Sequence, residues 1–265
     1  MKKIIISLLP FLSLCTSFTI PGNYQLVETS TFDSLVSTPV LLKQRPVIVW
    51  QPSHQTNTGV SFSEAAVCNG IIEAAMSAKP RLKEYKVWSL GKKRLHHADV
   101  GSNTIIEQTS AVIGGKLSGY AWELQKANER EPQVFISVHN NGGTKHHAVW
   151  GFIHEGDKYE AENRALADCL VKAISVATGM EDRGVLFDSS TGRNDYKCKD
   201  SGKLAFFSLD ENVNTAPYRV LLEVGDNRVS KIFLEDPINQ KKLGEAIKGA
   251  LVEWMTEKGW DKPYE

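Results

Sequence analysis

"VFISVHNNGG" occupies residues 134–143. Val134, Phe135, Ile136 and Val138 make a short apolar, β-branched run of the kind that fills a buried strand. The run stops at His139. Asn140, Asn141 and two glycines follow, and that composition reads as a turn, with orientation of the loop or of a ligand as the other reading of the asparagines. A core strand that ends on an imidazole puts a titratable group at the rim of a rigid sheet.

Working outward, two more strands end in polar chemistry. "VIVW" (47–50) runs into Gln51, Pro52, Ser53 and His54, and "YRVLLEVGD" (218–226) carries Glu223 inside an apolar run. "YKVWSL" (85–90) and "AVWGFIH" (148–154) read as strands, with short ones near 184–187 and 203–207. Helical patterns cover 62–79, 108–128, 159–179 and 239–260. Ser61 or Ser63 is a candidate cap for the first, Gly114 and Gly115 weaken the second, and Gly179 stops the third. This alternation predicts one α/β domain over 46–262. Its sheet is expected to be twisted, mixed or mostly parallel and flanked by helices, with the site at the carboxyl edge of the strands. The irregular stretches 91–107 and 188–217 are long enough to include lids or regulatory insertions.

Thirty-one basic residues balance 31 acidic ones. That gives no global field to recruit nucleic acid, and no nucleic-acid partner is expected. "MKKIIISLLPFLSLCTSF" has the basic start, apolar centre and small-residue end of a secretory signal, so residues 1–17 are read as a signal peptide. The apolar stretch is too short for a comfortable membrane span, and no other run is long enough for one. Export to the periplasm or cell envelope follows. Lipid attachment at Cys15 ranks lower, because Leu14 is bulky for such processing. Residues 18–45, rich in Ser, Thr and Pro, read as an extension. The cysteines at 15, 68, 169 and 198 show no C-x-x-C spacing, so neither a disulfide framework nor a structural zinc cluster is expected, although one disulfide is compatible with export.

The strand ends bring His54, His139 and Glu223 toward one edge, and Glu64 opens the helix that follows His54. Two histidines and a carboxylate are a common catalytic zinc set. Imidazole nitrogen binds at about 2.0–2.1 Å and carboxylate oxygen at about 2.0–2.2 Å, with one position left for water. A further carboxylate nearby can take the proton from that water. Each residue also has a plainer reading. A strand-end histidine is commonly hydrogen-bonded structure, and Glu64 suits the helix dipole. Glu223, costly to bury alone, could pair with Arg219 or a lysine. His96, His97, His146 and His147 read as surface residues, and His154 as a strand-end residue on the same edge.

"QPSHQ…E", "FISVHNN" and "VLLEVG" together resemble the zinc-dependent N-acetylmuramoyl-L-alanine amidases of bacteria, the type 3 amidase family. "LQKANE", the helix "NRALADCLVKAI" and "RGV" at 183–185 add to the likeness, which spans roughly 46–258. The resemblance implies that His54, Glu64 and His139 hold one Zn²⁺ per chain and that Glu223 is general base and then general acid. A zinc-activated water would attack the amide between N-acetylmuramic acid and L-alanine of peptidoglycan. The first loop departs from the family's D-P-G-H-G, and the interval from His54 to Glu64 is short. Those features mark a divergent member and leave Glu73 as rival to Glu64. A zinc peptidase or amidohydrolase of another substrate, and a peptidoglycan-binding module without turnover, are the alternatives. A regulatory partner is left open.

Overall fold

The computed structural model describes residues 45–53, 55–56, 58, 60–88, 119–191, 202 and 205–260, with the pairs 24–25, 42–43, 112–113 and 116–117. The chain divides into two compact units, Met1–Gln44 and Arg45–Glu265. In the first, Tyr24–Gln25 pairs antiparallel with Leu42–Lys43.

Among the described residues, the main sheet of the second unit has six strands: β1 (Val47–Pro52), β2 (Lys83–Lys86), β3 (Val134–Asn141), β4 (Ala148–Ile153), β5 (Glu181–Phe187) and β6 (Tyr218–Asp226). Their order across the sheet is β2-β1-β3-β6-β4-β5. The first four in that order are mutually parallel. β4 runs antiparallel to β6, and β5 runs parallel to β4. The sheet is therefore mixed and mostly parallel, as the alternation of elements predicts. Among the described residues five α-helices accompany it: α1 (Glu64–Ser77), α2 (Gly119–Asn128), α3 (Glu160–Thr178), α4 (Lys231–Glu235) and α5 (Pro237–Glu257).

Side-chain alternation decides which residues meet which layer. Ile48, Trp50, Ile136, Val138, Leu222 and Val224 point into the main core shared with α1, α3 and α5. Val47, Val49 and Phe135 point the other way, against Leu124 and Ala127 of α2 and Phe207. On that second side, Trp150, Phe152, Phe206 and Leu221 form a smaller cluster. Because both sides are covered, β1 is buried along its whole length, which explains its unbroken apolar run.

Helix ends follow local chemistry. Ser63 caps α1 by accepting from Ala66 N at 3.3 Å. Asp236 caps α5 through Ile238 N at 2.8 Å, with Pro237 in the first turn. Gly179 ends α3 in the left-handed region at φ 75°.

Some elements differ from the sequence reading. The second strand covers 83–86 rather than 85–90, although Val87 N still donates to Trp50 O at 2.9 Å. The helix expected from 108 begins at Gly119, and Val112–Ile113 pairs antiparallel with Lys116–Leu117 on either side of the two glycines. The strand β5 is longer than the one foreseen near 184–187. Ala205 and Phe206 are not in a strand, and a turn follows at 207–209. β3 continues through Asn140 and Asn141, which are therefore strand residues. The signal segment, residues 91–107, Cys15 and Cys198 lie outside the described residues. Cys68 and Cys169 are free thiols. Among the described residues no helix is long and apolar enough to cross a membrane.

Candidate active site

β3 and β6 lie side by side and run the same way, so their carboxyl ends share one edge. The register pairs His139 directly with Glu223. Both belong to the alternate set that faces away from the main core. After Glu223 the pairing is interrupted by an irregularity before Asp226. Gly225 sits there at φ 69°, where a Cβ would fall 2.9 Å from Ser230 Cβ. The register with β3 thus shifts by one residue immediately beyond the carboxylate, and pairing resumes at Asp226 with Asn141.

Glu64 comes from the first turn of α1, whose packing against the sheet carries it over the strand edge. Its Oε1 lies 3.0 Å from His139 Nδ1. Glu64, His139 and Glu223 are 3%, 6% and 8% exposed. Glu64 Oε1 makes no hydrogen bond among the described residues, because the close imidazole nitrogen lacks hydrogen-bond geometry. An acceptor buried this way is costly unless something else compensates it. Two potential ligand atoms this close together are suited to a shared cation. Atoms each about 2.0–2.2 Å from one tetrahedral zinc would stand ~3.4 Å apart.

One plainer reading of Glu223 pairs it with Arg219. That guanidinium is engaged elsewhere: it pairs with Asp157 and donates to the carbonyls of Leu209 (2.9 Å), Asn214 (3.2 Å) and Ala216. Burial lowers the Arg219 pKa despite those acidic neighbours. Glu73, the rival to Glu64, is exposed and paired with Lys86 at 2.8 Å, on the far side of α1 from His139. The lysine ammonium, with Asn69, holds its carboxyl below the usual range.

His54 lies outside the described residues. Its neighbours frame its place in the chain. Ser53 N donates to Val138 O at 2.9 Å, and Gln55 O accepts from Ala65 N at 2.9 Å. Among the described residues, no group of three His, Cys, Asp or Glu is arranged to hold a metal. His139 and Glu64 are the two that could contribute ligands.

The remaining histidines stand apart. His154 is at the opposite end of the sheet from His139, because β4 runs antiparallel to β6. It is buried against Asp188, with Nδ1 2.8 Å from Oδ2. His146 contacts Arg183 at 2.8 Å and His147 contacts Ser230 at 2.8 Å, while His96 and His97 are outside the described residues.

Three features escaped the sequence reading. Ser137 Oγ donates to Gln51 Oε1 at 3.0 Å, and Gln51 Nε2 donates to Glu123 Oε2 at 2.7 Å, forming a buried polar layer below His139. The polar members of β1 and β3 at alternate positions were the available signal. Asp226 accepts from Thr144 N (2.8 Å) and Oγ1 (3.0 Å), Arg228 N (2.8 Å) and Val229 N (3.1 Å), tying the loop after β3 to the one after β6. Asn140, buried, donates from Nδ2 to Val224 O at 2.6 Å and accepts from Cys68 Sγ at 3.3 Å. Burial, with the charges of Glu64 and Glu223 added, pushes the Cys68 thiol well above its usual pKa, so it remains a protonated donor.

Above the carboxylates opens a cleft of about 740 Å³. Glu64, His139 and Glu223 lie in its wall with Asn141, Trp150 and Phe206. A polar reaction centre flanked by an apolar wall can orient a substrate of mixed character.

A family model described as N-acetylmuramoyl-L-alanine amidase matches residues 102–253, more than half of the chain. A search of the curated proteins finds no match. Among solved structures, the fold is similar to the catalytic domain of CwlV, an N-acetylmuramoyl-L-alanine amidase from Bacillus (Paenibacillus) polymyxa var. colistinus, at TM-score 0.54 and 19% identity, covering 80% of this chain and 98% of that one. It is similar to the amidase AmiC2 of Nostoc punctiforme at TM-score 0.52 and 13% identity, covering 80% and 97%. It is also similar to the CwlD amidase from Clostridioides difficile, in complex there with the GerS lipoprotein, at TM-score 0.51 and 16% identity, covering 80% and 99%.

Proposed function

Because the chain belongs to the N-acetylmuramoyl-L-alanine amidase family, we propose that it hydrolyses the amide between N-acetylmuramic acid and L-alanine of peptidoglycan. The observation that carries this reading is the buried Glu64–His139 contact at 3.0 Å in the wall of a cleft, with Glu223 in register beside His139.

One Zn²⁺ would be held by His139, Glu64 and His54. When bound, it supplies a Lewis acid for the amide carbonyl and lowers the pKa of water toward ~7. Glu223 takes a proton from the attacking water. It then hands that proton to the departing amine of L-alanine, so one carboxylate serves as base and then as acid. The sheet fixes His139 and Glu223 at neighbouring register positions, which removes the entropy of bringing metal and base together. The buried surroundings of these side chains strengthen the charge interactions in the site.

We further propose that the chain is exported to the periplasm or cell envelope on its N-terminal apolar segment, and that peptidoglycan is its macromolecular partner. A regulatory protein partner is compatible with this reading, as the CwlD–GerS complex illustrates for that amidase.

Product mapping tests the bond. Purified peptidoglycan treated with the protein should release stem peptides with free L-alanine amino termini and leave unsubstituted muramic acid in the glycan. Cleavage between two amino acids of the stem would instead identify a zinc peptidase. Binding without any cleavage would identify a wall-binding module.

A further inference from the structure

The four residues assigned to the site come from four separate chain segments, and nothing in β-sheet pairing alone fixes a helix-borne carboxylate against a strand-borne one. We propose that Asn140 and Cys68 form a brace that sets Glu64 and Glu223 in position, which makes Asn140 a positioning residue of the reaction. The proposal rests on the amidase reading, since it takes Glu64 as a metal ligand and Glu223 as the proton carrier.

The geometry is a chain of neighbours. Asn140 follows His139 on β3 and points to the opposite side of the sheet, toward α1. Its Nδ2 donates to Val224 O at 2.6 Å, the residue after Glu223. Its Oδ1 accepts from Cys68 Sγ at 3.3 Å. Cys68 is one helical turn beyond Glu64 on α1, on the same helix face. One side-chain amide thus ties the segments carrying Glu64, His139 and Glu223.

The brace acts where pairing fails. β6 leaves its register with β3 between Glu223 and Asp226, so the ladder does not hold Val224 against β3. The Asn140 amide replaces the missing ladder bond at that point. The amide orientation follows from its partners: Val224 O can only accept, so the NH₂ group must face it. Cys68 and Asn140 are 0% and 5% exposed, so water is a poor substitute for either partner.

The test uses the full chain and the variants N140A, C68A, C68S and N140A/C68A. Zinc affinity is read by competition with a chromophoric chelator, alongside kcat and KM on peptidoglycan and the urea midpoint. N140A should weaken zinc affinity by about 10–100-fold, the usual size for a group that orients a metal ligand, and lower kcat while KM stays near wild type. C68S keeps a donor and should lie closer to wild type than C68A. The double variant should be no worse than N140A alone, because both single changes cut the same link. A folded N140A with wild-type zinc affinity and kcat overturns the brace. If N140A does not fold, C68A decides: wild-type affinity and kcat in C68A overturn the brace equally. A wild-type chain that binds no zinc overturns the amidase reading and the brace together. Wild-type zinc binding with every variant indistinguishable from it overturns the brace alone.

Discussion

The two ends of β6 bury charge in opposite ways. At the amino end, Arg219 is 3% exposed and engaged within the protein: Asp157 faces it, and three backbone carbonyls accept from it. At the carboxyl end, four residues later, Glu223 sits beside His139, and Glu64 leaves a buried oxygen without a hydrogen bond among the described residues. The first cluster closes on itself and pins the 205–219 segment to the sheet. The second opens on a cleft of about 740 Å³. Burial alone therefore does not mark a reactive group. A buried charge whose hydrogen-bonding capacity is spent within the protein is structure, and one that faces a cleft with capacity left over is available for a ligand.

The largest effect expected from this contrast is at Glu223. Glu223→Gln should lower kcat by about 10²–10⁴-fold while keeping bound zinc, since the proton carrier goes and the ligands stay. Full activity in that variant would remove Glu223 from the chemistry. At the other end of the strand the consequence should be stability. Arg219→Met strands Asp157 without its partner and should cost roughly 3–5 kcal/mol in urea denaturation. The molecules that remain folded should keep the wild-type kcat; a kcat collapse without loss of stability would dissolve the distinction between the two ends.

Asp226 sharpens the comparison, because it lies at the site end yet is saturated. Burial pushes its carboxyl pKa up, but the amides of Arg228 and Val229 and the hydroxyl and amide of Thr144 outweigh that, and the net pKa is lowered from 3.8. A carboxyl depressed in the folded state stabilises fully above its unfolded pKa and loses that contribution as pH falls through the folded value. Asp226→Asn should therefore destabilise at neutral pH, by roughly 1–3 kcal/mol. The gap to wild type should close once the pH falls below 3.8 and through the depressed folded value. Urea midpoints at several pH values check this, and a gap that widens in acid would contradict it.

The sequence made the strands legible where burial leaves a simple pattern. Val47–Trp50, Val134–Val138 and the run around Glu223 are apolar on both sides, and Gly179 is a stop signal of local origin. Residues at strand ends could then be placed on one edge, and the structure places His139 and Glu223 with Glu64 in the wall of one cleft. What failed has physical causes. β5 is exposed along much of its length, so it lacks the apolar signature of a strand. His154 looked like His139 because strand direction is invisible until β4 is seen to pair antiparallel with β6. Glu73 was separable from Glu64 only through Lys86, a partner on another element. The Asn140–Cys68 link and the Gln51–Glu123 contact join residues 72 positions apart in the chain, and no local pattern encodes a hydrogen bond at that distance.

The most direct measurement is zinc content of the purified chain beside amide cleavage of peptidoglycan, before and after chelation and after zinc is restored. The account predicts one zinc per chain, loss of cleavage on chelation and its return with the metal. A metal-free chain that still releases stem peptides with free L-alanine amino termini would contradict it.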